Sequence, residues 1–207
     1  MKSRWIVRAG LIALMCVPVS ARAQDDAAAA ARKAAILTPP APMTPRINGP
    51  RIYGERTGKP FFYHIPTTGQ RPIAFKADGL PAGLTLDAAS GTITGRSSAA
   101  GSHPVKITAS NSLGTDSITL NIVIGDTIAL TPPLGWNSWN RFAGRVTAED
   151  VKGAADAMVN AGLIDHGWTY INIDDTWEGQ RDANGVLATN QKFPDMKGLA
   201  DYIHGKG

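Results

Sequence analysis

The chain has 207 residues, 43% of them hydrophobic and 18% charged, which is the balance of a globular protein of one or two domains. Its formal charge of +4 misleads: residues 1–23 hold four of the 21 basic side chains and none of the 17 acidic ones, so the remainder balances at 17 against 17. That balance excludes nucleic acid and anionic membrane as partners on charge grounds, and the one cysteine, Cys16, leaves the rest of the chain without a disulfide.

Residues 1–23 read as a secretory signal peptide. Lys2, Arg4 and Arg8 form a positive n-region, and Ala9 to Val17 is an apolar run too short to cross a bilayer stably. Ala21-Arg22-Ala23 is a small-x-small cleavage site. The expected product is secreted or periplasmic, begins at Gln24 and has no membrane span after cleavage. Residues 24–50 read as a linker. The Ala-rich run Asp25 to Ala35 suits a short helix, whereas the prolines between Leu37 and Pro45 remove donors and predict an extended spacer.

Residues 51–125 have the texture of a small all-β sandwich. Short strands are predicted over 61–65, 73–77, 84–86, 92–94, 105–109 and 117–124, and the last three alternate polar and apolar residues. Pro81-Ala-Gly83, Ser90-Gly91, Ala100-Gly-Ser102 and Asn111-Ser-Leu-Gly114 supply turn signals between them. The segments Gly79 to Asp87, Ser90 to Gly95, Ala100-Gly101 and Val105 to Asn111 resemble the immunoglobulin-like module common in bacterial surface and secreted proteins. The resemblance implies a spacer or adhesive unit, and binding does not follow from the fold alone.

Residues 126–207 change character to the alternating pattern of a parallel βα protein. Leu130 to Phe142 ends a short apolar segment in Trp136 and Trp139. Thr147 and Asp150 form a capping box for a helix with Val151, Ala154, Ala155, Met158 and Val159 on one face, closed by Gly162. Trp168 to Ile173 is then a strand, and a second helix follows Pro194 with Met196, Leu199, Ala200 and Ile203 on one face. They look like the first two units of a (β/α)₈ TIM barrel, which needs about 250 residues, whereas Leu130 to Gly207 supplies about 78. Isolated, such units expose strand edges and helix faces meant for neighbours, and residues 130–207 alone are expected to be unstable.

Working residues of such barrels project from the C-terminal strand ends. Asp174 and Asp175 sit at one, after the apolar Ile171 and Ile173. Two ionised carboxylates are pure acceptors and suit sugar hydroxyls. They equally suit Mg²⁺ or Ca²⁺, or the capping of the next turn, which is the first reading of the pair by itself. Trp136, Trp139, Trp168 and Trp177 are each, taken singly, core candidates before they are ligand contacts.

Thr131 to Asn140, Tyr170 to Trp177, Arg181-Asp182 with Asn184-Gly185, and Lys192 to Lys206 together resemble the N-terminal part of glycoside hydrolase family 27, the α-galactosidase and α-N-acetylgalactosaminidase family. The resemblance implies a TIM barrel, a retaining mechanism with two Asp residues and no metal or organic cofactor. It makes Trp139 the wall of a galactose site, and Asp174 and Asp175 the pair that takes hydroxyls of the terminal sugar, including O4 and O6. The family's nucleophile and acid/base lie on the fourth and sixth strands, so no catalytic residue is expected in this chain and both are expected beyond Gly207. Many members also carry a cysteine near the position of Gly144 and another at the position of Thr176, and both are absent here. The expected partner is a galactose-containing oligo- or polysaccharide, with β-L-arabinopyranosides or α-N-acetylgalactosaminides as alternatives on the same fold. A rival from another class is a surface interaction protein that works through the sandwich. Oligomeric state is not readable.

Overall fold

The computed structural model describes residues 26–31, 34, 39–127 and 129–207. The segment read as a signal peptide lies outside the described residues. Residues 26–31, inside the Ala-rich run, are helical and belong to a unit separate from the body Ala41–Gly207. Among the described residues no helix is long and apolar enough to cross a membrane.

The first half of that body is the expected sandwich. One sheet has the order β2–β9–β8–β5, from Ile52–Glu55, Gly114–Ile124, Gly101–Asn111 and Ala74–Asp78. The other has the order β3–β7–β6, from Pro60–His64, Thr92–Arg96 and Leu84–Asp87. All pairs are antiparallel except β2 with β9, which run parallel. Alternation along the strands builds the core. Val105, Ile107 and Ala109 of β8 and Leu120 and Ile122 of β9 are fully buried and cluster with Phe61, Tyr63 and Ile93 of the opposite sheet.

Three strands of this half escaped the sequence reading. Strand β1 (Arg46–Ile47) lies within the stretch assigned to the linker and pairs with β4 (Thr67–Thr68). Ile47 joins the sandwich core, and its N–H donates to Asp116 Oδ2 at 2.8 Å. Two-residue strands beside Pro45 and Pro66 show no periodicity, and β2 offers only Ile52 and Tyr53 before a glycine. The turn predicted at Ala100–Ser102 is instead the start of β8, because the β8–β9 ladder continues to the pair Gly101 and Ile124. The turn at Asn111–Gly114 is real: Asn111 Oδ1 accepts the N–H groups of Leu113 and Gly114.

The second half holds β10 (Gly135–Asn137) and β11 (Tyr170–Asn172), which pair in parallel through helix α1 (Ala148–Asn160). Both halves of the capping box at Thr147 and Asp150 are formed. Gly162, at φ 71°, donates to Val159 O, and Leu163 donates to Met158 O, the paired bonds of a Schellman C-terminus. Val151, Ala155 and Met158 are buried as predicted, whereas Val159 at the helix end is exposed. An unpredicted hairpin, β12 (Glu178–Arg181) with β13 (Leu187–Thr189), precedes helix α2 (Met196–His204). Its strands are short and mostly polar, with no apolar alternation to betray them. Val146, Val151, Phe193 and Leu199 form a second core, with Trp136, Ile171, Ile173 and Trp177 packed against it.

The two halves meet before β11. Asp165, in the 3-10 turn Ile164–His166, accepts Arg71 at 2.6 Å through Oδ1 and Asn48 Nδ2 at 2.9 Å through its carbonyl. Phe62 stacks on His204 with ring centroids 5.0 Å apart. Beside β11 a cavity of about 810 Å³ opens, lined by Tyr53 and Phe62 of the sandwich and by Ile171, Ile173, Leu199 and Ile203.

Candidate functional site

Close approach of β10 to β11 creates the site. A Cβ on Gly135 would fall inside the Tyr170 carbonyl, so only glycine allows this spacing. The register then sets Asn137 opposite Asn172 at the C-terminal strand ends. Along β11 and the residues after it, Ile171 and Ile173 turn to the second core. Tyr170, Asn172 and Asp174 therefore alternate to the other face.

A polar network ties the two ends together. Asn172 Nδ2 donates to Trp136 O at 3.0 Å, and Ser138 N–H donates to Asn172 O at 3.1 Å. Ser138 is fully buried, and its Oγ accepts the Asp174 N–H at 2.9 Å. Asn137 bridges the site: its Nδ2 donates to Asp174 Oδ2 at 2.9 Å while its Oδ1 accepts the Trp139 N–H at 2.9 Å. Trp139 and Asp174, from separate strand ends, are thus two hydrogen bonds apart. The sequence singled out both but missed Asn137, Ser138 and Asn172. The Asn-rich run Trp136-Asn-Ser-Trp-Asn140, read at a strand end, was the signal available for the first two.

Asp174 and Asp175 are exposed. Asp174 Oδ1 accepts the Asp175 N–H and Asp175 Oδ1 accepts the Thr176 N–H, so the capping reading of the pair holds locally. It leaves acceptor capacity over: Asp175 Oδ2 has no protein donor among the described residues. Trp139 is 43% exposed. Trp136 and Trp177 pack on the second core, and Trp168, though exposed, precedes β11 and stands at the wrong strand end. Among the described residues no three His, Cys, Asp or Glu side chains gather as a cation site. The 810 Å³ cavity touches none of Trp139, Asp174 and Asp175, so the candidate site is an open strand-end surface distinct from that cavity.

The positions of Gly144 and Thr176 are neighbours. A Cβ on Gly144 would lie 4.0 Å from Thr176 Cβ. Lys192 Nζ occupies this junction, donating to Gly144 O at 2.7 Å and Thr176 Oγ1 at 3.1 Å.

Comparison with known proteins divides the chain where the structure does. Residues 44–125 match the family described as "Putative Ig domain", and residues 131–207 match the family described as "Alpha galactosidase A". An alpha-galactosidase A of Cellvibrio japonicus is 51% identical over 82 residues, which cover 39% of this chain and 20% of the relative. An alpha-galactosidase of Coffea arabica is 44% identical over 97 residues, covering 45% of this chain and 26% of the relative. The chain therefore spans about a fifth to a quarter of these curated relatives. Two crystal structures from Bacteroides fragilis are also similar. One, described as a "putative alpha-galactosidase/melibiase", has 46% identity and a TM-score of 0.73 over 79% of this chain and 36% of its own. The other, described as a "putative alpha-galactosidase", has 43% identity and a TM-score of 0.75 over 83% of this chain and 37% of its own. Both coverages exceed either half of this chain, so the sandwich and the βα units superpose on them together.

Proposed function

From a chain that joins an Ig-like module to the N-terminal part of an alpha-galactosidase-family domain, we propose the leading portion of a retaining glycoside hydrolase that removes terminal α-linked galactose from oligo- or polysaccharides. Trp139, Asp174 and Asp175 bind the terminal sugar. The observation that carries this reading is the Asn137 bridge, which joins the Asp174 carboxylate to the backbone of Trp139 at the C-terminal ends of adjacent parallel strands.

The chemistry of the site fits a hydroxylated ligand. The Trp139 ring offers an apolar face to the C–H side of a pyranose, and the carboxylates offer acceptors to its hydroxyls. A site built on such acceptors rejects a sugar that lacks the matching hydroxyl, because the acceptor is then left unpaired. Asp174 and Asp175 bind and orient. The nucleophile and acid/base belong to later strands of the complete barrel. Residues 1–23, with their basic start and apolar run, support export to the periplasm or medium. The sandwich engages the turn before β11, whereas the candidate site follows β11, which favours a supporting role for the module over a sugar-binding one.

The test is hydrolysis of an aryl α-galactoside by the natural full-length polypeptide, with and without Asp175→Ala. Loss of a carboxylate that accepts sugar hydroxyls is expected to lower kcat/KM by about a hundredfold or more. A chelator is expected to leave the rate unchanged. Near-normal kinetics of Asp175→Ala would remove the site assignment, and loss of activity in chelator would favour a metal-dependent enzyme.

A further inference from the structure

We infer that Lys192 is a positioning residue for the site: its ammonium clamps the loop that carries Trp139 to the loop that carries Asp175, and so sets the opening in which a sugar ring is held. The inference rests on the sugar-site reading above, but its geometry does not. Trp139 opens a single helical turn, Trp139–Phe142, followed by the 3-10 turn Ala143–Arg145. Gly144 O, in that second turn, is one acceptor of Lys192 Nζ. The other is Thr176 Oγ1, on the residue directly after Asp175. Two of the three ammonium donors thus reach oxygens from different loops.

Both loops are strained where the clamp acts. Ala143 has φ 47° and Thr176 has φ 74°, and a β-branched residue strongly disfavours that region. Such conformations persist only where surrounding contacts over-determine them. At Thr176 those contacts are Lys192 on the hydroxyl and Asn190 Nδ2 on the carbonyl at 2.7 Å. Lys192 is itself well anchored. Its N–H donates to Asn190 Oδ1, its carbonyl accepts the Ala148 N–H at the start of α1, and the next residue, Phe193, is fully buried. An ammonium carried on a backbone held this firmly transmits a fixed separation, where a lysine on a mobile backbone would not.

The test uses the full-length polypeptide, the variant Lys192→Met and a covalent replacement for the clamp. The Cβ positions of 144 and 176 are 4.0 Å apart, within the range a disulfide spans. Lys192→Met is expected to raise KM for an aryl α-galactoside by about tenfold, the worth of one charge-assisted hydrogen bond, with kcat nearly unchanged. Adding Gly144→Cys and Thr176→Cys to Lys192→Met is expected to restore KM when oxidised and to lose it again in reductant. Hydrogen exchange supplies a readout independent of sugar. Uptake over residues 140–146 and 174–178 is expected to rise together in Lys192→Met and to return to the wild-type level in the oxidised triple variant. If Lys192→Met fails to fold, Thr176→Val removes one arm of the clamp and is expected to show a smaller rise in both KM and exchange. An unchanged KM, or a cross-link that restores neither readout, overturns the inference. If the wild type hydrolyses no α-galactoside, the functional reading fails, and joint or separate exchange of the two loops alone decides the clamp.

Discussion

At the scale of single residues, side chains were legible where chemistry is local and illegible where a partner comes from far along the chain. Thr147 and Asp150 announced their capping box because the bonds span three residues, and Gly162 announced the helix end for the same reason. His64 could not be read. It lies between the halves, where burial pulls its imidazole below the ordinary value of 6.5; nearby Asp165 opposes the shift and Arg71 adds to it. Its buried Nδ1 has no partner among the described residues. The unfolded chain therefore takes up this proton at a higher pH than the folded one. Below about 6.5 the unfolded state binds more protons, so the histidine destabilises the fold as pH falls toward its folded value. His64→Phe is expected to flatten the fall in thermal midpoint between about pH 7 and 5 relative to wild type. Parallel midpoint curves for the two proteins would show that His64 is not the titrating group.

At the scale of elements, strands that alternate for several residues were found, and strands made by pairing alone were not. Strands β8 and β9 carry their core residues at every second position, and they hold the sandwich together. Strands β1 and β4 have two residues each and exist because the sheet accepts them. Strand β10 is the informative intermediate. Trp136 within it and Trp139 just after it drew attention to it, yet the glycine that lets it meet β11 was silent in the sequence. Gly135→Ala would force a Cβ into the Tyr170 carbonyl and part the two strands that build the site. The expected cost is about 1–3 kcal/mol in a denaturant melt of the full-length polypeptide, with sugar binding lost alongside. An unchanged midpoint would mean that the strand pair can shift apart without penalty.

At the scale of the whole molecule, the two halves differ in self-sufficiency. The sandwich surrounds a core of fifteen buried residues, from Ile47 to Ile124. The βα half has four in its cluster, Val146, Val151, Phe193 and Leu199, and an edge at β11 where Ile171 and, just beyond the strand, Ile173 line the cavity. An unpaired edge with so small a core lacks the buried area for independent stability. Residues 41–127 alone are expected to melt cooperatively by circular dichroism, and residues 130–207 alone to aggregate or melt without a transition. A sharp melt of the second piece would contradict this. The sandwich contributes to the βα half through Asn48 and Arg71, which hold the turn at Asp165 from which β11 departs.

The sequence by itself determined the order of the two architectures, the helix ends and most sandwich strands, and it singled out Trp139, Asp174 and Asp175 as candidate site residues. These depend on periodicity, capping and turn chemistry acting over a few residues, and on motifs contiguous in the chain. Tertiary structure alone decided that Trp139 meets Asp174 through Asn137 and that Lys192 joins Gly144 to Thr176. It also decided that the sandwich grips the turn before the strand whose far end carries the candidate site. Each of those contacts joins residues well separated along the chain, and such a pairing has no local signature, because its energy exists only once the intervening chain has folded.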